Sequence, residues 1–343
     1  MLNHLKLTTV RILAIDGGGI RGLIPAMVLR EIRRRLDAAG KRRPFHRVFH
    51  LMAGTSTGGL IALGLSTPTL QEGRRGSRCT RPVLTVDELV ALYRNEGQRI
   101  FPQKSNVLVN TLVHAMQHKY DAAHLEAVLE EKLGSACLQD AMTNVLVTSY
   151  DIERREPHLF IRRPSIPGAR PAEDFAVRDV ARATSAAPTY FEPAYLEPTP
   201  PNGKRYALID GGVFANNPAL LAYIEAKRVF PNATRFVILS LGTGIVVKPY
   251  RYAEVKDWGY IDWMAAFRGL PLFSMMMDGQ SDVAVSVLRD FPGVKLVRLD
   301  PHIDEKHAFM DDAGPDNIAY LERRAMDLIE QSSDQLDELC HRL

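Results

Sequence analysis

The alternation of apolar and polar positions divides the chain into short buried strands and amphipathic helices. Val10 to Ile15 (VRILAI) is an apolar run of strand length, and Leu23 to Leu36 repeats its apolar positions with helical spacing. Phe49 to Ala53 reads as a second buried strand, and Gly59 to Leu65 as an apolar helix. Strand, glycine-bearing turn and helix therefore occur twice near the N-terminus, which predicts an α/β layered domain. Val86 to Arg99 and His124 to Leu133 have helical periodicity, whereas Asn144 to Asp151 and His158 to Arg162 predict a pair of strands. Val177 to Ser185 predicts a helix ending before Pro188, Tyr206 to Ile209 a short strand, and Pro218 to Arg228 a helix with proline in its first turn. Arg235 to Leu241 and Val294 to Leu299 predict two more strands, and Asn317 to Leu339 one long terminal helix. Pro68 to Pro82, rich in Gly, Arg, Ser and Thr, reads as a loop. No internal repeat and no linker interrupts this series. Residues 1–343 are expected to form one domain, with a motif-bearing core over about 10–245 and a lid-like, helical region over about 250–343.

Composition narrows the class. The chain of 343 residues is 46% hydrophobic and 24% charged, which is ordinary for a globular protein with a large core. A formal net charge of +3 is too weak to point to a nucleic-acid polymer. Basic residues do crowd two stretches, Arg30 to Arg43 and Arg74 to Arg81. Cys79, Cys137 and Cys340 are odd in number and far apart, which excludes a fully paired disulfide framework and a CxxC metal site. No apolar run approaches the ~18 residues of a membrane span, and Met1 to Val10 has no apolar signal core. The expectation is a soluble cytoplasmic protein.

Three glycine-flanked constellations carry the candidate chemistry. Gly54-Thr55-Ser56-Thr57-Gly58 fits G-x-S-x-G, with an apolar strand before it and an apolar helix after it. A nucleophilic serine needs such a sharp strand-to-helix turn, and the small flanks Gly54 and Gly58 let the chain bend. Asp16-Gly17-Gly18-Gly19-Ile20-Arg21-Gly22 can form a nest of backbone N–H groups that binds an anion. It serves either as an oxyanion hole or as a dinucleotide loop, since Gly17, Gly19 and Gly22 also fit G-x-G-x-x-G. The dinucleotide reading needs an acid at the end of a second strand, but Asp37 lies in a helical pattern. In Asp210-Gly211-Gly212 a strand delivers an aspartate to a glycine turn, either as a general base or as a turn residue. A Ser-His-Asp triad in hydrolase order would need His302, His307 or His341, none in a recognisable setting, so a direct Ser–Asp pair is the alternative.

Taken together, D-G-G-G-x-R-G, G-T-S-T-G-G and D-G-G-x-x-A-N-N-P, in this order, resemble the patatin-like phospholipases. Ala183 to Pro193, Val237 to Gly244 and Met310 to Ala325 also look like segments of that family. The resemblance implies a three-layer α/β/α sandwich with a central, mostly parallel sheet. It implies Ser56 as nucleophile, Asp210 as base, Gly17, Gly18 and Gly19 as oxyanion donors, and Arg21 bracing the loop. Gly22, Gly54, Gly58, Gly211 and Gly212 would support these groups. The implied reaction is hydrolysis of acyl esters of phospholipids or other lipids through an acyl-Ser56, with no metal and no cofactor. Such an enzyme would act peripherally at the inner face of the membrane.

Other readings stay open at this point. One is a Ser-His-Asp hydrolase of small esters. Another is a nucleotide-binding sensor whose glycine loop holds phosphate. A third is an antiviral-defence effector, a membrane-degrading phospholipase switched on by a cyclic nucleotide. A homo-oligomer is compatible with all of them. The apolar-aromatic stretch from Trp258 to Met277, including Trp263, Phe267, Leu270, Leu272, Phe273, Met275 and Met276, reads as a lid, a membrane-docking surface or core under a loop. The Arg30 to Arg35 run reads as a solvated face or a contact for anionic headgroups. Asp311, Asp312 and Asp316 do not have calcium-loop spacing, and Asp316 is expected to cap the terminal helix.

Overall fold

The computed structural model describes residues 7–69, 81–102, 118–163, 173–246, 249–264 and 271–343. Most of the predicted loop, with Cys79 and the arginines at 74, 75 and 78, and also Phe267 and Leu270, lies outside the described residues.

A central sheet is built from β1 (Thr9–Ile15), β2 (Leu51–Thr55), β3 (Asn144–Asp151), β4 (Glu156–Arg162), β5 (Ala194–Leu196), β6 (Tyr206–Asp210), β7 (Arg235–Leu241) and β9 (Val294–Leu299). Strands β3, β2, β1, β7 and β9 run parallel, and β4, β5 and β6 add antiparallel pairings at one side. Two short strands, β8 (Ile245–Val246) and β10 (His302–Ile303), pair parallel beside the sheet.

Both faces of the sheet are covered, which is why its strands read as continuous apolar runs. Successive residues of β1 feed two cores. Leu13 and Ile15 join a cluster with α1 (Leu23–Ala38), α3 (Thr57–Ser66), α4 (Val86–Ile100), α5 (Ala122–Leu133), α6 (Val177–Thr184), α12 (Pro315–Gln331) and α13 (Ser333–Arg342). Val10, Ile12 and Ala14 join the opposite cluster with α8 (Ala219–Val229) and with Leu288 of α11 (Pro271–Asp290). This is the three-layer α/β/α arrangement. The remaining helices are short: α2 (Phe45–Val48), α7 (Gly212–Ala215), α9 (Tyr252–Val255) and α10 (Tyr260–Met264). Among the described residues, no helix is long and apolar enough to cross a membrane.

Local chemistry sets the element ends. Thr85 and Glu88 form a reciprocal capping box at the start of α4, with Thr85 N–H donating to Glu88 Oε2 at 2.7 Å and Glu88 N–H to Thr85 Oγ1 at 3.3 Å. Pro68 and Pro82 pair in an antiparallel bridge, so the ends of the predicted loop are pinned together. The C-terminal region is not an appendage: β9 extends the central sheet from β7, and α12 packs on α1.

Three sequence expectations need correction. The second strand begins at Leu51, because the Phe49 N–H closes the helical turn α2 onto Phe45 at 2.8 Å instead of entering the ladder. The strand then runs on to Thr55, directly before Ser56. The predicted terminal helix is two helices, broken at Ser332, whose backbone (φ −103°, ψ 16°) leaves the helical region. The break turns Leu336, Leu339 and Cys340 into the core while their spacing continues the apolar period of α12. Asp316 does not cap α12. The cap position is Gly314, whose N–H donates to Asp312 Oδ1 at 3.0 Å, and Asp316 lies within the first turn.

The basic run on α1 is tied into the fold. Arg35 donates to Glu31 of α1 and to Asp337 of α13, each at 2.7 Å, and Arg33 pairs with Asp37 at 2.9 Å. Lys41 Nζ caps the end of α13 through the carbonyls of Cys340 and His341. These contacts commit Arg33, Arg35 and Lys41 to the fold.

Candidate active site

The pairing of β3 explains how two distant residues come together. Along one edge β3 pairs with β4 from Val145 to Asp151. Along the other edge it pairs first with β2, Thr148 opposite Thr55, and then with β6, Ser149 opposite Asp210. β2 is parallel to β3 and β6 antiparallel, so the two strands meet end to end on one edge, both by their C-terminal ends. Ser56 follows one end and Asp210 closes the other.

Ser56 sits in a conformation that side-chain-bearing residues rarely adopt, φ 54° and ψ −124°. Such strain costs on the order of 1–3 kcal/mol and persists only where the surroundings over-determine it. They do here. The Ser56 N–H donates to Thr184 Oγ1 at 2.8 Å, and that hydroxyl donates to the Thr148 carbonyl at 2.7 Å. The Thr55 hydroxyl bonds Thr148 Oγ1 and the Ala215 carbonyl, each at 2.7 Å, which ties β2 to β3 and α7. Gly54 and Gly58 are required by packing: a Cβ on Gly54 would lie 2.1 Å from the Gly58 carbonyl oxygen, and one on Gly58 would lie 2.1 Å from that of Ile15. The serine turn thus presses against both β1 and its own helix. Helix α3 then starts beneath Ser56 and directs its positive end toward it.

Asp210 is buried, and its main-chain N–H donates to the Ala186 carbonyl at 3.0 Å. Burial pushes its carboxyl up to about 6, opposed by an interaction with the Ser56 hydroxyl and by the Gly212 N–H. The latter donates to Asp210 Oδ1 at 2.8 Å. Gly211 packs against Thr148, and Gly22 against Thr57 and Tyr93.

The glycine loop lies beside these two groups. Gly17 donates its N–H to the Asn216 carbonyl at 3.2 Å, so that donor is committed within the fold. The N–H groups of Gly18 and Gly19 have no partner among the described residues. The loop is fixed from both sides: Thr243 Oγ1 donates to the Gly17 carbonyl at 2.6 Å, and Ile20 N–H donates to the Met310 carbonyl at 2.8 Å. Arg21 is buried and braces the loop through the carbonyls of Gly18 at 3.3 Å and Gly244 at 3.4 Å. Burial lowers its pKa, while Asp300 and Asp278 act in the opposite sense.

Sequence reasoning did not single out Arg298. Its guanidinium forks onto Asp16, Nη1 to Oδ1 at 2.9 Å and Nη2 to Oδ2 at 2.7 Å, and also reaches Asp300 at 2.5 Å. Asp300 in turn accepts the Gly244 N–H at 2.9 Å. Burial disfavours the Arg298 charge, but the two carboxylates outweigh it and hold the pKa above the ordinary value. This network locks the first residue of the glycine loop. The one available signal was an aspartate at the end of β9, the same placement as Asp16 and Asp210.

Ser56, Asp210 and the glycine loop line a cleft of about 810 Å³, its open mouth included. The remaining walls are largely apolar, from Ile20, Leu60, Leu92, Ile100, Phe101 and Phe191, with Phe273 and Met277 supplied by α11. Leu272, Met275 and Met276, on the same turns of α11, are exposed. The stretch read as lid, docking surface or core is therefore split, one face of the helix in the cleft and the other in solvent. No histidine lines the cleft among the described residues. His307 stacks on Tyr320 and bonds Asn317 at 2.8 Å, and His302 is exposed. Asp37 ends α1, paired with Arg33, and does not follow a strand. Asp311 is held by Lys119 and Tyr120, and no cluster of three metal-ligating side chains occurs among the described residues.

Comparison with known proteins places the chain in a family. The family model "Patatin-like phospholipase" matches residues 13–223. Patatin-like protein 2 of Arabidopsis thaliana is 36% identical over 298 residues, covering 80% of this chain and 70% of the relative. Patatin-like protein 2 of Oryza sativa subsp. indica is 32% identical over 300 residues, covering 81% and 72%. A Solanum tuberosum relative, probable inactive patatin-3-Kuras 1, is 32% identical over 284 residues, covering 78% and 70%. By these matches the chain belongs to the patatin-like phospholipase family, a membership that supports lipid acyl hydrolase activity.

Proposed function

We propose that the protein hydrolyses fatty-acyl esters of membrane lipids with a Ser56–Asp210 dyad. The observation that carries this reading is the strained turn that aims the Ser56 hydroxyl at a buried carboxylate inside an apolar cleft. A serine hydroxyl is a weak nucleophile until a base accepts its proton, and a carboxyl raised to about 6 is a far better base than an ordinary aspartate. Asp210 takes the proton as Ser56 Oγ attacks the ester carbonyl. The N–H groups of Gly18 and Gly19 donate to the oxyanion, helped by the start of α3. The intermediate collapses, the alcohol leaves with the proton from Asp210, and the acyl group remains on Ser56. Water then releases the fatty acid.

The apolar walls favour an acyl chain over a polar substrate. The exposed face of α11 is the proposed contact with the membrane surface, because it shares its turns with Phe273 and Met277 in the cleft. The triad alternative gains no support, since no described histidine reaches the cleft. The test is hydrolysis of mixed phospholipid vesicles by wild type, Ser56→Ala and Asp210→Asn, with and without cyclic dinucleotides. Wild type is expected to release fatty acid and both variants to lose that activity. Full activity of purified Ser56→Ala sinks the assignment, and a response to cyclic dinucleotides identifies an activated effector.

A further inference from the structure

We infer that Asn216 is a catalytic residue of the second half-reaction, holding the water that releases the acyl group from Ser56. The inference rests on the acyl-Ser56 reading given above. Asn216 follows α7, is 8% exposed and lines the cleft beside Ser56 and Asp210. Its main-chain carbonyl accepts the Gly17 N–H, which fixes the residue against the glycine loop. Its side-chain Oδ1 is buried and has no hydrogen-bond partner among the described residues. A buried acceptor left unsatisfied is costly to folding, and at a reaction centre such a cost marks a group that meets its partner during the reaction.

Two glycines show where that partner sits. A Cβ on Gly17 would lie 2.5 Å from Asn216 Oδ1 and 3.2 Å from Ser56 Cβ. A Cβ on Gly212 would lie 3.3 Å from Asp210 Oδ1 and 3.5 Å from Asn216 Oδ1. Asn216 Oδ1 therefore faces the same small space as the serine and the aspartate, and any side chain at 17 or 212 would fill it. The unpartnered atom is an acceptor. An acceptor repels an oxyanion, whose donors come from Gly18 and Gly19, but it attracts a water O–H.

In the step this implies, a solvent water donates one hydrogen bond to Asp210 and the other to Asn216 Oδ1. With both hydrogens held, its lone pairs lie on the opposite side of the oxygen, from which one can be directed at the acyl carbonyl. Asp210 accepts a proton as the water oxygen bonds to the carbonyl carbon. The bond from that carbon to Ser56 Oγ then breaks, Asp210 returns the proton to Oγ, and the fatty acid leaves. Acylation uses no water, so Asn216 matters to the second step and not to the first.

The experiment compares wild type, Asn216→Ala, Asn216→Leu and Ser56→Ala on p-nitrophenyl decanoate, with stopped-flow release of p-nitrophenol and intact-protein mass. Asn216→Leu keeps the shape and removes an unsatisfied polar group, so it covers the case in which the alanine variant fails to fold. Both Asn216 variants are expected to keep the first turnover within about threefold of wild type and to lose about tenfold or more in steady-state rate. They accumulate an acyl adduct on Ser56, and hydroxylamine restores turnover. Equal loss of first-turnover and steady-state rates, or no change in either, overturns the role of Asn216. Activity in Ser56→Ala, or an adduct on another residue in wild type, overturns the serine reading instead.

Discussion

Ser56 and Asp210 stand at the facing C-terminal ends of β2 and β6, which meet end to end along one edge of β3. Thr148 and Ser149, two consecutive residues of β3, set their separation. The two residues are therefore brought together by backbone pairing, and their side chains need only short reach.

Asp210 must be ionised to act as a base, and burial raises its carboxyl to about 6. The rate constant kcat/KM is expected to rise with pH along a limb centred near 6. A pH–rate profile on a soluble ester checks this, and a flat profile between pH 4.5 and 8, an assay range of about 3.5 units, counts against Asp210.

The same shift has a stability consequence of definite sign. The folded protein holds the Asp210 proton more tightly than the unfolded chain, whose value is near 3.8. Stability is lost as pH rises from about 4 to about 6 and stays lost above that. Asp210→Asn is expected to be inactive but more stable at pH 7.5, by on the order of 3 kcal/mol, with the gain vanishing near pH 4. Thermal denaturation across pH measures it.

Ser56 carries backbone strain at φ 54°. Ser56→Gly removes that strain together with the hydroxyl. Denaturant titration is expected to show a gain of about 1 kcal/mol alongside complete loss of hydrolysis. A destabilised variant would show that the turn is relaxed in the native protein.

Arg298 neutralises Asp16 and Asp300, both nearly fully buried. Arg298→Gln leaves two uncompensated carboxylates, at a cost of about 3–5 kcal/mol. The melting temperature is expected to fall by roughly 10 °C at neutral pH. The loss should shrink in acid, because burial raises the Asp16 carboxyl and lets it take up a proton once Arg298 is gone. Melting curves at pH 5 and pH 7.5 separate this from a simple packing defect.

Leu272, Met275 and Met276 are exposed on α11, whereas Phe273 and Met277 line the cleft. Changing the first three to Ser is expected to reduce vesicle hydrolysis roughly tenfold, since each loses apolar area that would enter lipid. Activity on a short soluble ester should not change. Equal loss on both substrates would assign α11 to the cleft alone.

The groups that chemistry places in adjacent residues were legible in the sequence. Ser56, Asp210 and the glycines at 17–19 each sit at a strand end marked by local glycines, and the buried parallel strands betray themselves as apolar runs. Arg298 was not legible, because it occupies an ordinary position of β9 and its partner Asp16 is 282 residues away. Asn216 was hidden by its neighbour: Asn217 accepts the Ala219 N–H at 3.0 Å, a common helix-start role, and nothing local separates the two asparagines. The break at Ser332 was invisible because the apolar spacing runs through it.

The end-to-end meeting of β2 and β6 also limits how this protein can vary. Side chains of β3 other than Thr148 and Ser149 can drift among strand formers without moving Ser56 and Asp210. Insertion of one residue between Thr148 and Ser149, or loss of either, would shift Ser56 and Asp210 by about 3.3 Å relative to each other. Length variation is expected instead in segments such as the one between Pro68 and Pro82, whose paired ends keep their place when chain is added between them.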